Sequence, residues 1–333
     1  MFNISICIPV FNAQDTIIDT INSLKSQNQE LIFEVIVCDN YSTDNTVKKI
    51  KDCKYQKIKL FEFKDFVSGG ENLQRTIDES SGDFLFFLGA DDVLDKSTIE
   101  IYYNNLISNK DLGIISRSYY WFEYENHRLP VRCTKQFNRD ITLDINSNEN
   151  DIYHFIVSIC QVSGVMVKKS LIYNKINKRY FIETASVILP LIKNSKALLL
   201  GRNTVAVRIE SSNTFEKKFY IKSPGKAWLD LFNLVFNEKQ HQKTLNFIKY
   251  KFISKNFDGL IQIRIYGGYM SFIKELFLMI KTSPKIIFNL KIYLYFLFLI
   301  IPNKRLINYV KIYFKRHVLS NNIRGKITNL VEY

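Results

Sequence analysis

Histidine is scarce in this chain: four residues (His127, His154, His241, His317) among 333, none in a motif. No Ser/His/Asp hydrolase order can be built around them, and no His/Cys spacing matches a zinc site. The five cysteines (Cys7, Cys38, Cys53, Cys133, Cys160) are odd in number and contain no Cys-x-x-Cys pair. That argues against a disulfide scaffold and fits a reducing compartment. Six prolines, twelve glycines and no short repeat exclude collagen-like and low-complexity classes. The first residues show no basic stretch followed by a long apolar run, so no signal peptide is expected, and a cytoplasmic location is.

Acidic residues are scarce in one place. Residues 217–333 carry 21 Lys and Arg against 5 Asp and Glu, whereas residues 1–216 carry 25 against 27. The break sets the expected organisation: a near-neutral domain over 1–216 and a basic, helical region over 217–333. An anionic partner, a membrane face or a nucleic acid, is expected for the second.

The first region alternates short apolar runs with helical stretches. Strands are expected over 4–9, 31–38, 58–63, 84–88 and 112–122. Helices are expected over 16–27 (with Asp15 as cap), 45–51, 71–79 and from just after Asp92 to Ile107. Strand alternating with helix at this period predicts an α/β fold with a mostly parallel, Rossmann-like sheet covered on both faces. Such sheets bind ligands at the carboxyl ends of their strands. Here those ends read Pro9-Val10-Phe11-Asn12, Asp39-Asn40 and Gly89-Ala90-Asp91-Asp92.

Each of these has a plain reading beside a functional one. Asp91 and Asp92 would repel each other unless a cation or donors neutralise them, which suits Mg²⁺ or Mn²⁺ shared with a diphosphate; alternatively one simply caps the next helix. Asp39 is placed to accept an N–H from a nucleobase, or to shape a turn. Gly69-Gly70 lacks the spacing of a phosphate loop. Residues 286–301 are almost wholly apolar and flanked by Lys281, Lys285, Lys304 and Arg305. The stretch is short for a membrane span of about 20 residues and reads as an interfacial helix or a core helix. A second basic, aromatic stretch covers 309–316.

Taken together, the strand ends resemble those of family-2 glycosyltransferases, whose catalytic domain has the nucleotide-sugar-binding GT-A fold. The likeness rests on Ser5 to Asn12, Val37 to Thr46, Asn72, and Ser81 to Asp92. It continues more weakly through Ser163 to Lys169 and Val207 to Phe215. Within that family the chain is most similar to abequosyltransferase-like enzymes of bacterial O-antigen assembly. The resemblance implies that Pro9, Val10, Asn12, Asp39, Asn72 and Asp92 contact the nucleotide sugar, and that Asp91 holds a divalent metal (Mn²⁺ or Mg²⁺). It also implies transfer of one sugar, with inversion, to a lipid-linked oligosaccharide at the cytoplasmic membrane surface. No nucleic acid partner is expected, because the chain carries no recognised RNA- or DNA-binding motif and its apolar run suits lipid better.

Three positions depart from the family pattern. Gly89 replaces the first Asp of the Asp-x-Asp motif, and Glu71 stands where relatives carry Arg. The usual Glu-Asp pair of the catalytic base is Glu183-Thr184. Glu183 is the nearest match for the base, with Asp140, Asp144 or Asp151 as alternatives. These departures keep open a scaffold that binds nucleotide without turnover.

Overall fold

The computed structural model describes residues 2–123, 126–173, 175–176, 183–209, 223–255, 257–290, 292–293 and 327–333; the side chains of Glu183, Phe257 and Asp258 lie outside the described set. The chain divides into two compact units. One comprises Met1–Arg179, Glu183–Ser211 and Asn322–Tyr333, the other Tyr180–Ile182 and Ser212–Asn321.

In the first unit the elements run β1 (Ile4–Val10), α1 (Ile17–Lys25), β2 (Ile32–Asp39), α2 (Thr46–Asp52), β3 (Ile58–Glu62), α3 (Gly69–Glu79), β4 (Phe84–Phe87) and β5 (Val93–Leu94). They continue through α4 (Thr98–Ser108), β6 (Leu112–Phe122), β7 (Pro130–Cys133), β8 (Ile141–Leu143), α5 (Glu149–Ser158), β9 (Val165–Lys168), α6 (Glu183–Ile188) and β10 (Lys196–Arg208). The sheet order is β3-β2-β1-β4-β9-β6-β10-β5, with β7 beside β6 and β8 beside β10.

β1, β2 and β4 are buried along nearly their whole length, which is why they read as continuous apolar runs. α1 buries Ile17, Ile21 and Leu24 at helical spacing, each contributing about 1.5–3 kcal/mol relative to exposure. Its cap is Thr16 rather than the expected Asp15, with no side-chain cap bond. α3 begins two residues earlier than expected. Ser68 and Glu71 form a reciprocal capping box, so Glu71 is spent on the helix start.

The architecture is α/β, as the alternation predicts, but the sheet is mixed. β1 to β4 are mutually parallel, and β10 is parallel to β6. β9 runs antiparallel between β4 and β6, and β5, β7 and β8 are also antiparallel. The helix expected directly after Asp92 is delayed. Val93 and Leu94 first pair with Ala206 and Val205 of β10, and α4 starts at Thr98.

The C-terminal residues 327–333, which the charge break assigned to the basic region, belong to the first unit. Val331 is buried with Val93, Tyr120, Phe122 and Ala206. Asn329 exchanges three hydrogen bonds with Asn203, and Glu332 bonds to Asp95 and Lys96 through its backbone.

The second unit is helical, with helices Pro224–Val235, Gln242–Lys255, Phe257–Gln262 and Tyr269–Thr282. Phe272, Leu276, Met279 and Ile286 lie at its core, and Trp228, Phe232 and Phe252 pack edge to face or tilted against one another. The stretch beginning at Ile286 opens in a short 3-10 turn, Pro284–Phe288. Residues 294–301, the basic stretch 309–316 and Ser211 to Phe215 lie outside the described residues. Among the described residues no helix is long and apolar enough to cross a membrane.

Candidate functional site at the strand ends

The loops that follow β1 and β2 are laced together by short polar side chains. Asn12 takes a left-handed backbone (φ 46°), a conformation asparagine tolerates better than most residues. Its Oδ1 accepts from Thr43 N (2.8 Å), and its own N–H donates to Ser42 Oγ (2.9 Å). Asn72 reaches across from α3 and donates to Cys38 O at 2.9 Å and Val10 O at 3.5 Å. Both asparagines thus hold the two strand ends in register. The Val10 side chain is fully in the core, so only its backbone faces the mouth, while Pro9 is half-buried.

Asp39 closes β2 and is 3% exposed. One oxygen, Oδ2, accepts from Ser42 N at 3.0 Å. The other, Oδ1, is buried and has no hydrogen-bond partner in the protein. An unpartnered buried carboxylate oxygen costs on the order of 1–3 kcal/mol or more, so it calls for a donor from outside the chain. Two exposed rings, Phe11 and Phe66, lie 4.8 Å apart.

Asp91 and Asp92 sit in the turn between β4 and β5. Asp92 is 1% exposed and fully engaged. Its Oδ2 accepts from Gln161 Nε2 (2.9 Å) and from Ser163 Oγ, and its Oδ1 from Arg208 N (2.9 Å). Burial, then the neighbouring charge of Asp91, push its pKa up to about 7 against the pull of these donors. Ser163 also accepts from Gly89 N at 2.7 Å. Its position depends on Gly164, whose φ of +82° and lack of a side chain let the loop pass Val205 and Arg117. A Cβ at Gly89 would lie 2.7 Å from Asp91 Oδ1 and 3.1 Å from Asp92 Oδ2, so glycine leaves that space to the two carboxyl groups.

Further side chains brace the turn from outside. Thr16 and Thr20 of the α1 segment donate to the carbonyls of Ala90 and Asp92. Arg208 donates Nε to Asp91 O and pairs through Nη2 with Asp19 at 3.0 Å. Arg117, fully buried, donates to Ser158 O and Gln161 and so fixes the amide that reaches Asp92. Gln161, Asp19 and Arg117 carried no signal in the sequence. Ser163 and Arg208 stood in stretches that resemble the family, without a role.

Among the described residues no three His, Cys, Asp or Glu side chains cluster as a protein cage requires. Mg²⁺-type ions commonly make do with one or two carboxylates plus substrate phosphates. Asp91 together with a bound diphosphate fits that pattern and nothing richer.

The base candidates are dispersed. Glu183 is the first residue of α6, its side chain outside the described set. Asp140 accepts from Gly201 N of β10 (2.9 Å), and Asp144 accepts from Asn146 N within its own turn (2.8 Å), so both carry structural bonds. Asp151 lies in the first turn of α5, one helix length from the loop that holds Asp92.

A family model described as glycosyl transferase family 2 matches residues 5–172, half of the chain. The abequosyltransferase RfbV of Salmonella typhimurium is 25% identical over 154 residues, covering 45% of this chain and 46% of that protein. The poly(ribitol-phosphate) beta-N-acetylglucosaminyltransferase TarP of Staphylococcus aureus is 27% identical over 266 residues, 73% of this chain and 77% of that one. An Escherichia coli beta-1,3-glucosyltransferase named for UDP-Glc and alpha-D-GlcNAc-diphosphoundecaprenol, WfgD, is 31% identical over 107 residues, 32% of this chain and 42% of it. The chain thus spans less than half the length of two of these three relatives. The crystal structure of S. aureus TarS 1-349 in complex with UDP-GlcNAc superimposes with a TM-score of 0.64 at 15% identity, over 86% of this chain and 82% of that one. That likeness is one of fold.

Proposed function

This chain belongs to glycosyl transferase family 2, and from that premise we propose that it moves one sugar from a nucleoside-diphosphate sugar to a hydroxyl of a surface-polysaccharide acceptor. The observation that carries the reading is Asp39, whose buried Oδ1 has no partner at the mouth of the parallel strands. A nucleobase N–H is the donor that geometry suits, with Phe11 and Phe66 offering faces for the ring and the Pro9-Val10 backbone lining the ribose.

The diphosphate then falls to the turn that carries Asp91, which Asp92 holds in place through Gln161, Ser163 and Arg208. A divalent ion held by Asp91 and the donor's own oxygens would supply charge neutralisation where the diphosphate departs. The acceptor oxygen bonds to the anomeric carbon as the bond to phosphate breaks, and its proton passes to a carboxylate, for which Glu183 is proposed. Attack from the face opposite the leaving group inverts that centre.

The relatives' names carry two acceptor types, a ribitol-phosphate polymer and a diphosphoundecaprenol-linked sugar. We assign this chain to the lipid-linked class, at the cytoplasmic face of a membrane. The second unit supports it with an exposed stripe at helical spacing, Met270, Lys274, Phe277 and Lys281, beside exposed Phe288 and Leu290. Apolar tips alternating with lysines suit an anionic bilayer surface.

One observation favours a second reading, a scaffold that binds nucleotide without turnover: Gly89 brings no carboxylate to the turn. Both readings meet the same experiment, thermal unfolding of the full chain with UDP, GDP, CDP and dTDP, each with Mn²⁺ and with EDTA. Ligand at about 100 times its dissociation constant adds about 2.7 kcal/mol. Stabilisation by one nucleotide only with metal supports the transferase; no response to any nucleotide defeats it. Turnover abolished by Asp91→Asn removes the scaffold.

A further inference from the structure

The first unit is near neutral as a whole, yet between His127 and Arg139 it carries Arg128, Arg132, Lys135 and Arg139 and not one carboxylate. This stretch borders a cavity of about 450 Å³ lined by Lys135, Phe137, Arg139, Asn150, Asp151 and His154, among others. Lys135 Nζ stands 3.3 Å from His154 Nε2 and 5.1 Å over the Phe137 ring, and Phe137 packs edge to face on His154. Two cationic side chains, an imidazole and three side-chain amides (Gln136, Asn138, Asn150) therefore face one concave space against a single carboxylate, Asp151. Crowding cations in this way is unfavourable without a counter-charge, and the donor groups match phosphate oxygens.

Where the cavity lies matters as much as what lines it. Asn150, Asp151 and His154 belong to α5, a ten-residue helix about 15 Å long. From its other end the chain runs into Gln161 and Ser163, which hold Asp92. The cavity thus opens on the N-terminal half of α5, while the loop that holds Asp92 follows its C-terminal end. None of its lining residues is among those that hold the Asp91-Asp92 turn. A group bound there suits a different part of a long acceptor.

We propose that the cavity between the 135–139 segment and the start of α5 is an anion subsite, taking a phosphate group of the acceptor while the reacting hydroxyl lies at Asp91. The proposal rests on the glycosyltransferase reading for the word acceptor, and on the cavity itself for the anion. Two sources share the chemistry, the diphosphate of a lipid carrier and the phosphodiester of a polyol-phosphate chain.

The test uses the full chain and the double variant K135Q/R139Q, which removes two charges from exposed positions and leaves unbranched polar side chains there. Calorimetric titration with inorganic pyrophosphate should give binding to the native chain and roughly tenfold or greater weakening in the variant. With EDTA present, Asp91→Asn, in the turn between β4 and β5, should bind pyrophosphate in the cavity as the native chain does. Absent binding, or equal binding by K135Q/R139Q, overturns the proposal. This readout needs no turnover, so it stands whether or not the transferase reading does. Should the double variant unfold, Arg139→Gln alone serves, with about half the loss on a logarithmic scale.

With turnover in hand, the KM for a phosphate-bearing acceptor should rise about tenfold in K135Q/R139Q at unchanged kcat, and the KM for a phosphate-free glycan should stay put. An effect confined to a diphosphate-lipid-linked sugar identifies the lipid carrier, and one confined to a polyol-phosphate oligomer identifies the polymer. An unchanged KM for both overturns the proposal.

Discussion

One sheet holds a buried carboxylate near each end, and the fold treats the two in opposite ways. At the amino ends of the strands, Glu34 accepts from Ser5 Oγ (2.6 Å), Ser81 N (2.6 Å) and Ser81 Oγ (2.9 Å), and pairs with Lys59 at 2.7 Å. Burial alone would raise its pKa, but the lysine and the three other donors outweigh it and bring the value down to about 2. At the carboxyl ends, Asp92 also has three donors, yet burial and Asp91 beside it leave its pKa near 7. Asp39, on the same side, keeps an oxygen with no partner at all. The difference is in what has been left over. The amino end is satisfied within the chain and serves the fold; the carboxyl end carries excess negative charge and an unmet acceptor, both waiting on something the chain does not contain.

Substitutions at the two ends should therefore separate activity from stability. The largest expected effect is Asp91→Asn, which should lower transfer about 10²–10³-fold, measured with whichever nucleotide sugar stabilises the protein, while the melting temperature barely moves. A comparable loss of stability would place Asp91 with Glu34, as a structural group.

Glu34→Gln should do the reverse, costing about 1–2 kcal/mol in urea unfolding at neutral pH with nucleotide binding intact, since its lysine partner is largely exposed to solvent. Because its folded pKa is depressed, Glu34 stabilises fully above its unfolded value of 4.5 and loses that contribution as pH falls toward 2. The gap between native chain and variant should close over that window. A gap that persists at pH 2 would show that packing rather than charge was lost.

A smaller effect is expected for Asp39→Asn, about tenfold weaker nucleotide binding by calorimetry with an unchanged fold. Undiminished binding would leave the orphaned oxygen unexplained. The smallest is a slope. Asp92 has a raised folded pKa, so its contribution is fully present below the unfolded carboxylate range and is lost as pH rises through about 7. In metal-free buffer, the melting temperature of the native chain should therefore fall over that interval relative to Asp92→Asn. Parallel pH profiles would mean that the donors from Gln161, Ser163 and Arg208 have cancelled the burial.

Much of the first unit was legible because its signals are local. The apolar runs of β1, β2 and β4 and the 3-4 spacing of Ile17, Ile21 and Leu24 announce their elements within a few residues. The positions of Asp39 and Asp91 at strand ends follow from the same alternation. Legibility failed where the answer depended on partners. Asp15 looked like a cap, but the chain turned into α1 one residue later. Glu71, notable in sequence as a departure, turned out to close a capping box. Residues 327–333 shared the charge of the region before them and yet pack on the first unit through Val331 and Asn329.

The sequence by itself determined the alternation of elements, the polar strand ends and the uneven charge, since each depends on residues close along the chain. Strand direction was beyond it, because a strand buried on both faces reads the same parallel or antiparallel, and β9 was left to packing. So was the environment of the site. Gln161, Ser163 and Arg208 reach Asp92 from 69 to 116 positions away, and only the folded sheet brings them together. The same holds for Asp39, whose unmet oxygen is a property of what surrounds it rather than of its own side chain.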